Sequence, residues 1–266
     1  MSEISGRTTL LGLIADPIAQ ARSPGLANAR LAALGRFGDV VLLPLHIGPD
    51  GLAALLAGLR RMRNFGGAIV SMPFKMAIVE QLDELTAEAQ LVGAVNVIRR
   101  AADGRLVGTM LDGEGFVAGL GAAGHRVAGT SCVLAGAGGA ASAVALALAR
   151  HGCAALCILN RTEARAAALA ARVAAAFPRV ALSTRLAPHA RVDIAVNGTS
   201  LGMQPDDVLP FRPEIVARAA LVAECVIAPE ITPLLALARR QGIAIHTGVP
   251  MLTAQIDLML RFMGVG

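Results

Sequence analysis

At 266 residues and 55% apolar content, with only 16% charged residues, the chain is too apolar for disorder and long enough for one large domain or two modest ones. The formal net charge of +5 comes from arginines spread along the chain, with no polybasic block and no Trp or Tyr between them. No nucleic-acid partner is therefore expected, and a small anionic ligand accounts for the sign equally well. From the N-terminus, short apolar runs predict strands over residues 10–14, 40–45, 68–71 and 95–98, with helical patterns over 24–34 and 50–62 between them, the grammar of βαβ units. Asp103-Gly104 is a tight-turn signal joining 95–100 to 105–109 as a hairpin. A domain boundary is placed close to Asp112-Gly113, where a helix is expected to cross into a second α/β half. There the alternation restarts, with strands from Val133 and over 154–159, 180–182, 194–196, 221–224 and 243–245. A last helix over 250–262 is expected to fold back on the first domain.

The second half opens with a nucleotide-binding pattern: an apolar run, the loop Gly136-Ala-Gly-Gly-Ala-Ala141, an alanine-rich helix, then a strand ending at Leu159. In that order Gly136 permits the turn off the strand, Gly138 lets backbone N–H groups approach a pyrophosphate, and small Ala141 lets the helix pack closely on the sheet. Where NAD sites usually place an acidic residue on the ribose 2′-hydroxyl, this chain has Asn160, followed by Arg161 and, four residues on, Arg165. Two guanidinium groups beside a helix opening at Thr162 suit a 2′-phosphate, so the cofactor is read as NADP. The same two arginines also suit a solvated helix face. Residues 127–149 carry no charge and are long enough to span a bilayer, but Thr130, Ser131 and four glycines interrupt them, and a buried strand-loop-helix is the better reading. The N-terminal stretch has no basic segment followed by a long apolar one, so no leader, and hence a cytoplasmic protein, is expected. Cys132, Cys153, Cys157 and Cys225 have no paired metal spacing and are read as buried thiols; the five histidines show none either, so no metal is expected.

Besides a cofactor, redox chemistry on a carbonyl needs groups that can move a proton. Lys75, after Val70-Ser-Met-Pro-Phe74, and Asp112, in a segment read as a flexible loop, are the candidates. Their company is specific. Asp16-Pro-Ile-Ala-Gln-Ala-Arg-Ser-Pro24, Ser71-Met-Pro-Phe-Lys75, Leu91-Val-Gly-Ala-Val-Asn96, Leu111-Asp-Gly-Glu-Gly115, Gly136 to Ala140, Asn160-Arg-Thr-Glu-Ala-Arg165, Asn197-Gly-Thr-Ser-Leu-Gly202 and Gly248-Val-Pro-Met-Leu-Thr-Ala-Gln255 occur in the order found in the shikimate dehydrogenase family, which the chain resembles over nearly its whole length.

The resemblance implies a two-domain α/β fold: a substrate-binding and catalytic domain over residues 1–111, completed by 248–266, and a Rossmann-type, doubly wound NADP-binding domain over 112–247. It also implies reversible reduction of a ring ketone to a secondary alcohol, in aromatic amino acid biosynthesis, with Lys75 delivering the proton or stabilising the developing alkoxide and Asp112 orienting it. Ser23, Ser71, Asn96 and Gln255 match substrate positions. Gly136, Ala137, Gly138, Gly139, Ala140, Asn160, Arg161, Thr162 and Arg165 match cofactor positions, and Cys225 and Gly248 fall where the family approaches the nicotinamide. The expected partner is a small cyclic hydroxy acid, for a monomer or homodimer without nucleic acid or membrane.

Four positions depart from the family pattern, each by loss of a polar group: Ala21 and Ile69 replace a serine and an asparagine, and Leu111 and Ile227 a threonine and a tyrosine. Each lost donor costs a bound polar partner about 1–3 kcal/mol. Shikimate is accordingly expected to be a poor substrate, and a related acid with a more apolar flank the true one, unless Arg22 or main-chain groups replace the contacts. An NAD(P)-dependent quinate or shikimate dehydrogenase and a non-catalytic regulator that binds NADP and a ring acid are the alternatives; retention of both Lys75 and Asp112 disfavours the regulator.

Overall fold

Runs of Val, Ile, Leu and Ala bounded by Gly, Pro and Asp form twelve strands and ten helices in the computed structural model, which describes residues 3–265. Met1 and Ser2, at the start of the stretch read as lacking a leader, and Gly266, at the end of the range assigned to the first domain, lie outside the described residues. Two compact units emerge: unit 1 is Met1–Leu111 with Gln255–Gly266, and unit 2 is Asp112–Ala254.

In unit 1 the chain runs β1 (Thr9–Ala15), α1 (Ser23–Ala33), β2 (Val40–His46), α2 (Leu52–Arg61), β3 (Phe65–Val70), α3 (Phe74–Ala77), β4 (Glu84–Leu85), α4 (Ala87–Val92), β5 (Val97–Arg100) and β6 (Leu106–Thr109). The strand order is β2-β1-β3-β5-β6-β4. The sheet is mixed rather than a pure βαβ array: β1, β2 and β3 are parallel, but β5 runs antiparallel to both β3 and β6. The Asp103-Gly104 turn joins β5 to β6 as the expected hairpin, and the Asp103 carboxylate accepts the Arg105 amide at 3.0 Å. Ile14, Ala68, Val70 and Ile98 from the sheet and Leu52, Leu56 and Leu59 from one stripe of α2 close the core. β4 and α4 answer to no sequence expectation. Both are too short for periodicity to register, and α4 is set by its ends: the Thr86 hydroxyl accepts the Ala89 amide and Gly93 terminates the helix.

Unit 2 begins with α5 (Asp112–Ala122) and continues β7 (Ser131–Ala135), α6 (Gly139–Arg150), β8 (Ala155–Leu159), α7 (Glu163–Ala176), β9 (Ala181–Ser183), β10 (Val192–Asn197), α8 (Pro213–Val216), β11 (Ala219–Glu224), α9 (Pro233–Arg240), β12 (Ala244–His246) and α10 (Val249–Phe262), whose last turns belong to unit 1. Its six strands are all parallel, in the order β12-β11-β10-β7-β8-β9. Counted from β7, that is the doubly wound order whose direction of winding reverses between β7 and β10, and ligands bind outside the carboxyl ends of strands at such a point. The uncharged stretch 127–149 is accordingly β7, its loop and α6. All of Ala141 to Ala149 is buried, as in a helix apolar all round inside a protein core. Among the described residues no helix is long and apolar enough to cross a membrane.

Candidate active site

The residues read from the sequence as cofactor contacts gather at one edge of unit 2, because each follows the carboxyl end of a parallel strand. Gly136 follows β7, Asn160 follows β8, Cys225 follows β11 and Gly248 lies just beyond β12; Gly198, not among those residues, follows β10 at the same edge. Gly136 has φ +113°, a conformation open to glycine alone, and its amide donates to the Leu159 carbonyl at 2.7 Å, joining the two strand ends. Ala141 is fully buried against Gly198, whose own amide donates to Ala135 at 2.9 Å. Gly138 stands at the N-cap of α6 with no atom within 4 Å of where its Cβ would be. The α6 N-terminus, with Ala137, Gly139 and Ala140 around it, thus presents backbone amides to open space, and this cradle fits a pyrophosphate.

At the end of β8 the Asn160 side chain donates to the Thr162 carbonyl at 3.0 Å. Thr162 is the N-cap of α7, its side chain not engaged in capping, and Arg161 and Arg165 are exposed on either side of that helix start. Gly248 is dictated by close approach. A Cβ there would overlap the Val226 carbonyl oxygen and lie 3.1 Å from the Cys225 carbonyl carbon, so the 246–249 turn and the 225–227 segment touch through backbone. Cys225, read as a buried thiol, is only half-buried; Cys132, Cys153 and Cys157 are buried.

The substrate candidates gather at one edge of unit 1 by the same logic. β1 and β3 are parallel and end there, while antiparallel β5 begins there, Ile69 standing opposite Val97. The Ser71 amide donates to Ile14 at 2.9 Å and the Asp16 amide to Met72 at 2.9 Å, so the loop after β1 and the lysine motif share backbone bonds. The Val95 amide donates to the Lys75 carbonyl at 2.8 Å, which docks the 91–96 segment on α3. Asn96 is 1% exposed and Gln255 3%. The Asn96 side-chain amide donates to Gln255 Oε1 at 3.0 Å, and its Oδ1 accepts the Leu111 amide at 2.8 Å. Four of the named groups, Ser71, Lys75, Asn96 and Gln255, are therefore brought together from segments up to 184 positions apart in the chain, counting from Ser71 to Gln255. Ser23 lies at the first position of α1, eight residues after β1 ends.

Asp112 corrects the sequence reading. It is not in a flexible loop but is the first residue of α5 and 3% exposed, directly after the Leu111 amide that Asn96 holds. Asp112 and Glu114 in the first turn suit the positive end of the helix, and that placement overrides the turn signal of Asp-Gly. Of the departing positions, Ile69 is buried, and Ala21, Leu111 and Ile227 are half-buried.

Sequence reasoning missed a buried polar cluster in unit 2. Glu224, the last residue of β11, is fully buried: Thr232 Oγ1 donates to its Oε1 at 2.7 Å, and Asn197 Nδ2 and the Val226 amide donate to its Oε2 at 2.9 and 3.4 Å. Burial pushes this carboxyl up to about 7, against the hydrogen bonds from Thr232 and Asn197, which favour the charged form. The available signal was an acidic residue closing the apolar run 219–223.

Two family models match: "Shikimate dehydrogenase substrate binding domain" over residues 13–98 and "Shikimate / quinate 5-dehydrogenase" over residues 122–202. A shikimate dehydrogenase (NADP(+)) of Rubrobacter xylanophilus is 40% identical over 266 residues, covering 98% of this chain and 90% of the relative. Among solved structures, a shikimate dehydrogenase in complex with NADP+ superimposes with a TM-score of 0.88 at 32% identity, covering 99% of this chain and 93% of that one. The ligand-free 5-ketofructose reductase of a Gluconobacter species superimposes with a TM-score of 0.81 at 28% identity, covering 97% and 93%. With an end-to-end relationship of this kind and both family models matched in order, the chain belongs to the shikimate dehydrogenase family.

Proposed function

We propose that the chain is an NADP-dependent oxidoreductase that interconverts a ring ketone of the 3-dehydroshikimate type and its secondary alcohol. The observation that carries this reading is the relationship to NADP-dependent shikimate dehydrogenases along the whole chain, with Lys75 and Asp112 both kept inside their motifs. The cradle of Gly136 to Ala140 suits the pyrophosphate of NADP, Arg161 and Arg165 beside Asn160 and Thr162 suit its 2′-phosphate, and Cys225 and Gly248 line the redox end. Bound NADPH supplies the hydride that the carbonyl carbon receives. Lys75 Nζ gives its proton to the carbonyl oxygen, or holds the developing alkoxide by charge, and Asp112 orients the reacting hydroxyl. Ser23, Ser71, Asn96 and Gln255 hold the ring acid through hydroxyl and amide groups. Asn96 and Gln255 already fix each other's orientation, so they lose little side-chain freedom on binding.

The preferred acid differs from shikimate in this proposal, because the positions of Ala21, Ile69, Leu111 and Ile227 offer no polar side-chain group. Even with heavy discounting for non-additivity, four losses of about 1–3 kcal/mol cost shikimate orders of magnitude. Steady-state kinetics with a panel of cyclic hydroxy acids, followed by NADPH absorbance, test both parts. Turnover with some ring acid, and kcat/KM for shikimate below about 10⁴ M⁻¹s⁻¹, is expected. Absence of turnover across the panel sinks the enzyme reading, and a higher value for shikimate sinks the altered preference alone.

A further inference from the structure

We propose that Glu224 is a positioning residue for NADP(H): bonded to Thr232, Asn197 and the Val226 amide, it locks the 225–232 segment to the 197–202 loop and so holds Cys225 and its neighbours in place. The role assigned to Cys225 and Gly248 rests on the function proposed above; the hold of Glu224 on the two loops does not.

The geometry is that of a tie between three chain segments. Oε1 takes the Thr232 hydroxyl, which also caps α9 by accepting the Leu235 amide at 3.2 Å. Oε2 takes Asn197 Nδ2, which donates as well to the Leu201 carbonyl at 2.8 Å, while Asn197 Oδ1 accepts both the Thr199 amide and its hydroxyl. Oε2 also takes the Val226 amide, and it is the Val226 carbonyl against which Gly248 is seated. One carboxyl therefore shapes the turn after β10, the turn after β11 and the start of α9.

All three partners point donors at Glu224, so the carboxylate is the form they fit. A proton on either oxygen needs an acceptor there, and Thr232 can provide one only by giving up the bond it donates. Charged groups on neighbouring elements do not compensate. His246 on β12 is in register with Ala223 and so lies on the other face of the sheet from Glu224. The Asp207 carboxylate is taken by the Gly202 and Gln204 amides, Glu214 and Glu230 are exposed, and Arg239 and Arg240 lie in the last turn of α9, away from Thr232. Among the described residues no cation is bonded to Glu224, which leaves burial as the force opposing its charge. Proton uptake near neutrality thus satisfies burial and releases the loops.

The test is the pH dependence of NADPH affinity, read from nicotinamide fluorescence between pH 5.5 and 8.5, in the wild type and in Glu224→Gln. The wild type should bind at least fivefold more weakly at pH 6 than at pH 8, with an inflection near 7. Glu224→Gln should lack the inflection and keep a flat, at least fivefold raised KM for the cofactor, with kcat and the acid's KM within about twofold of wild type. Because folding raises the carboxyl above its ordinary 4.5, the stability linked to it is full below that value and lost as pH rises through about 7. Thermal midpoints should show this slope in the wild type and not in the variant. An inflection that survives in Glu224→Gln, or wild-type cofactor KM in that variant at pH 8, overturns the proposal. Amide hydrogen exchange over residues 226–235 decides the loop-holding role independently of activity: the wild type should exchange faster, beyond the intrinsic pH effect, below pH 7. Exchange unchanged by both pH and substitution overturns it even if no NADPH binds, whereas normal exchange behaviour without NADPH binding overturns only the cofactor assignment.

Discussion

Unit 2 holds its proposed ligand largely with backbone, whereas unit 1 holds its own with side chains, and the two kinds of site tolerate change very differently. At the cofactor edge Gly136 has a positive φ and Gly248 has main chain where a Cβ would stand, so at these two positions the geometry admits glycine alone, while Gly138 leaves open space. At the substrate edge the backbone bonds among Ile14, Asp16, Ser71, Met72 and Asn96 keep the frame whatever side chains it presents. Ala21, Ile69 and Leu111, which offer no polar side-chain group, are therefore carried in unit 1 without disturbing that frame. In the proposed function, cofactor binding thus rests on backbone geometry and substrate choice on side chains.

That contrast is open to direct attack. The largest effect is expected from Lys75→Ala, which should lower kcat/KM by about 10²–10⁴ while NADPH affinity stays within about threefold; comparable turnover in the variant would remove Lys75 from the chemistry. Next in size, the double substitution Arg161→Ala and Arg165→Ala should raise the KM for NADP by about 100-fold and leave that for NAD nearly unchanged, since each charge-assisted hydrogen bond is worth about 1.5–3 kcal/mol. An unchanged KM for both cofactors would place the arginines on a solvated face only, and equal losses with both would move their contact from the 2′-phosphate to a part the two cofactors share. Gly136→Ala sharpens the distinction between the units. It forces a side chain into φ +113°, so affinity for NADPH should fall about tenfold together with a stability loss of about 1–3 kcal/mol, measurable by denaturant titration. The smallest change is Ala21→Ser in unit 1, expected to raise kcat/KM for shikimate about fivefold with no shift in midpoint, as one restored donor would. A neutral result there would mean that another group has already taken over the contact.

The sequence made the cofactor edge more legible than the substrate edge for the same reason. Gly136-Ala-Gly-Gly-Ala-Ala141 is local, and its meaning survives without knowledge of what packs on it, as does the Asp103-Gly104 turn. The place of Asp112 escaped a local reading because Asp-Gly alone is a turn signal, while the helix that begins there is set by Phe116, Val117 and Leu120, which it buries. Glu224 went unnoticed because an acidic residue at the end of an apolar strand reads as the place where the chain meets solvent. Its partners Asn197 and Thr232 lie 27 and 8 positions away, and nothing in the linear order announces that they converge.

By itself the amino-acid order determined the alternation of strands and helices, the phosphate loop and the set of motifs, since these depend on interactions within a few residues and on conformations that only glycine, proline or a capping side chain supports. The tertiary structure alone decided that β5 reverses within a mixed sheet, that Asn96 meets Gln255, and that Glu224 is buried among three donors rather than solvated. Those outcomes depend on which distant segments share a sheet edge, and burial, the term that then sets the charge on a carboxyl, exists only once the chain has closed around it.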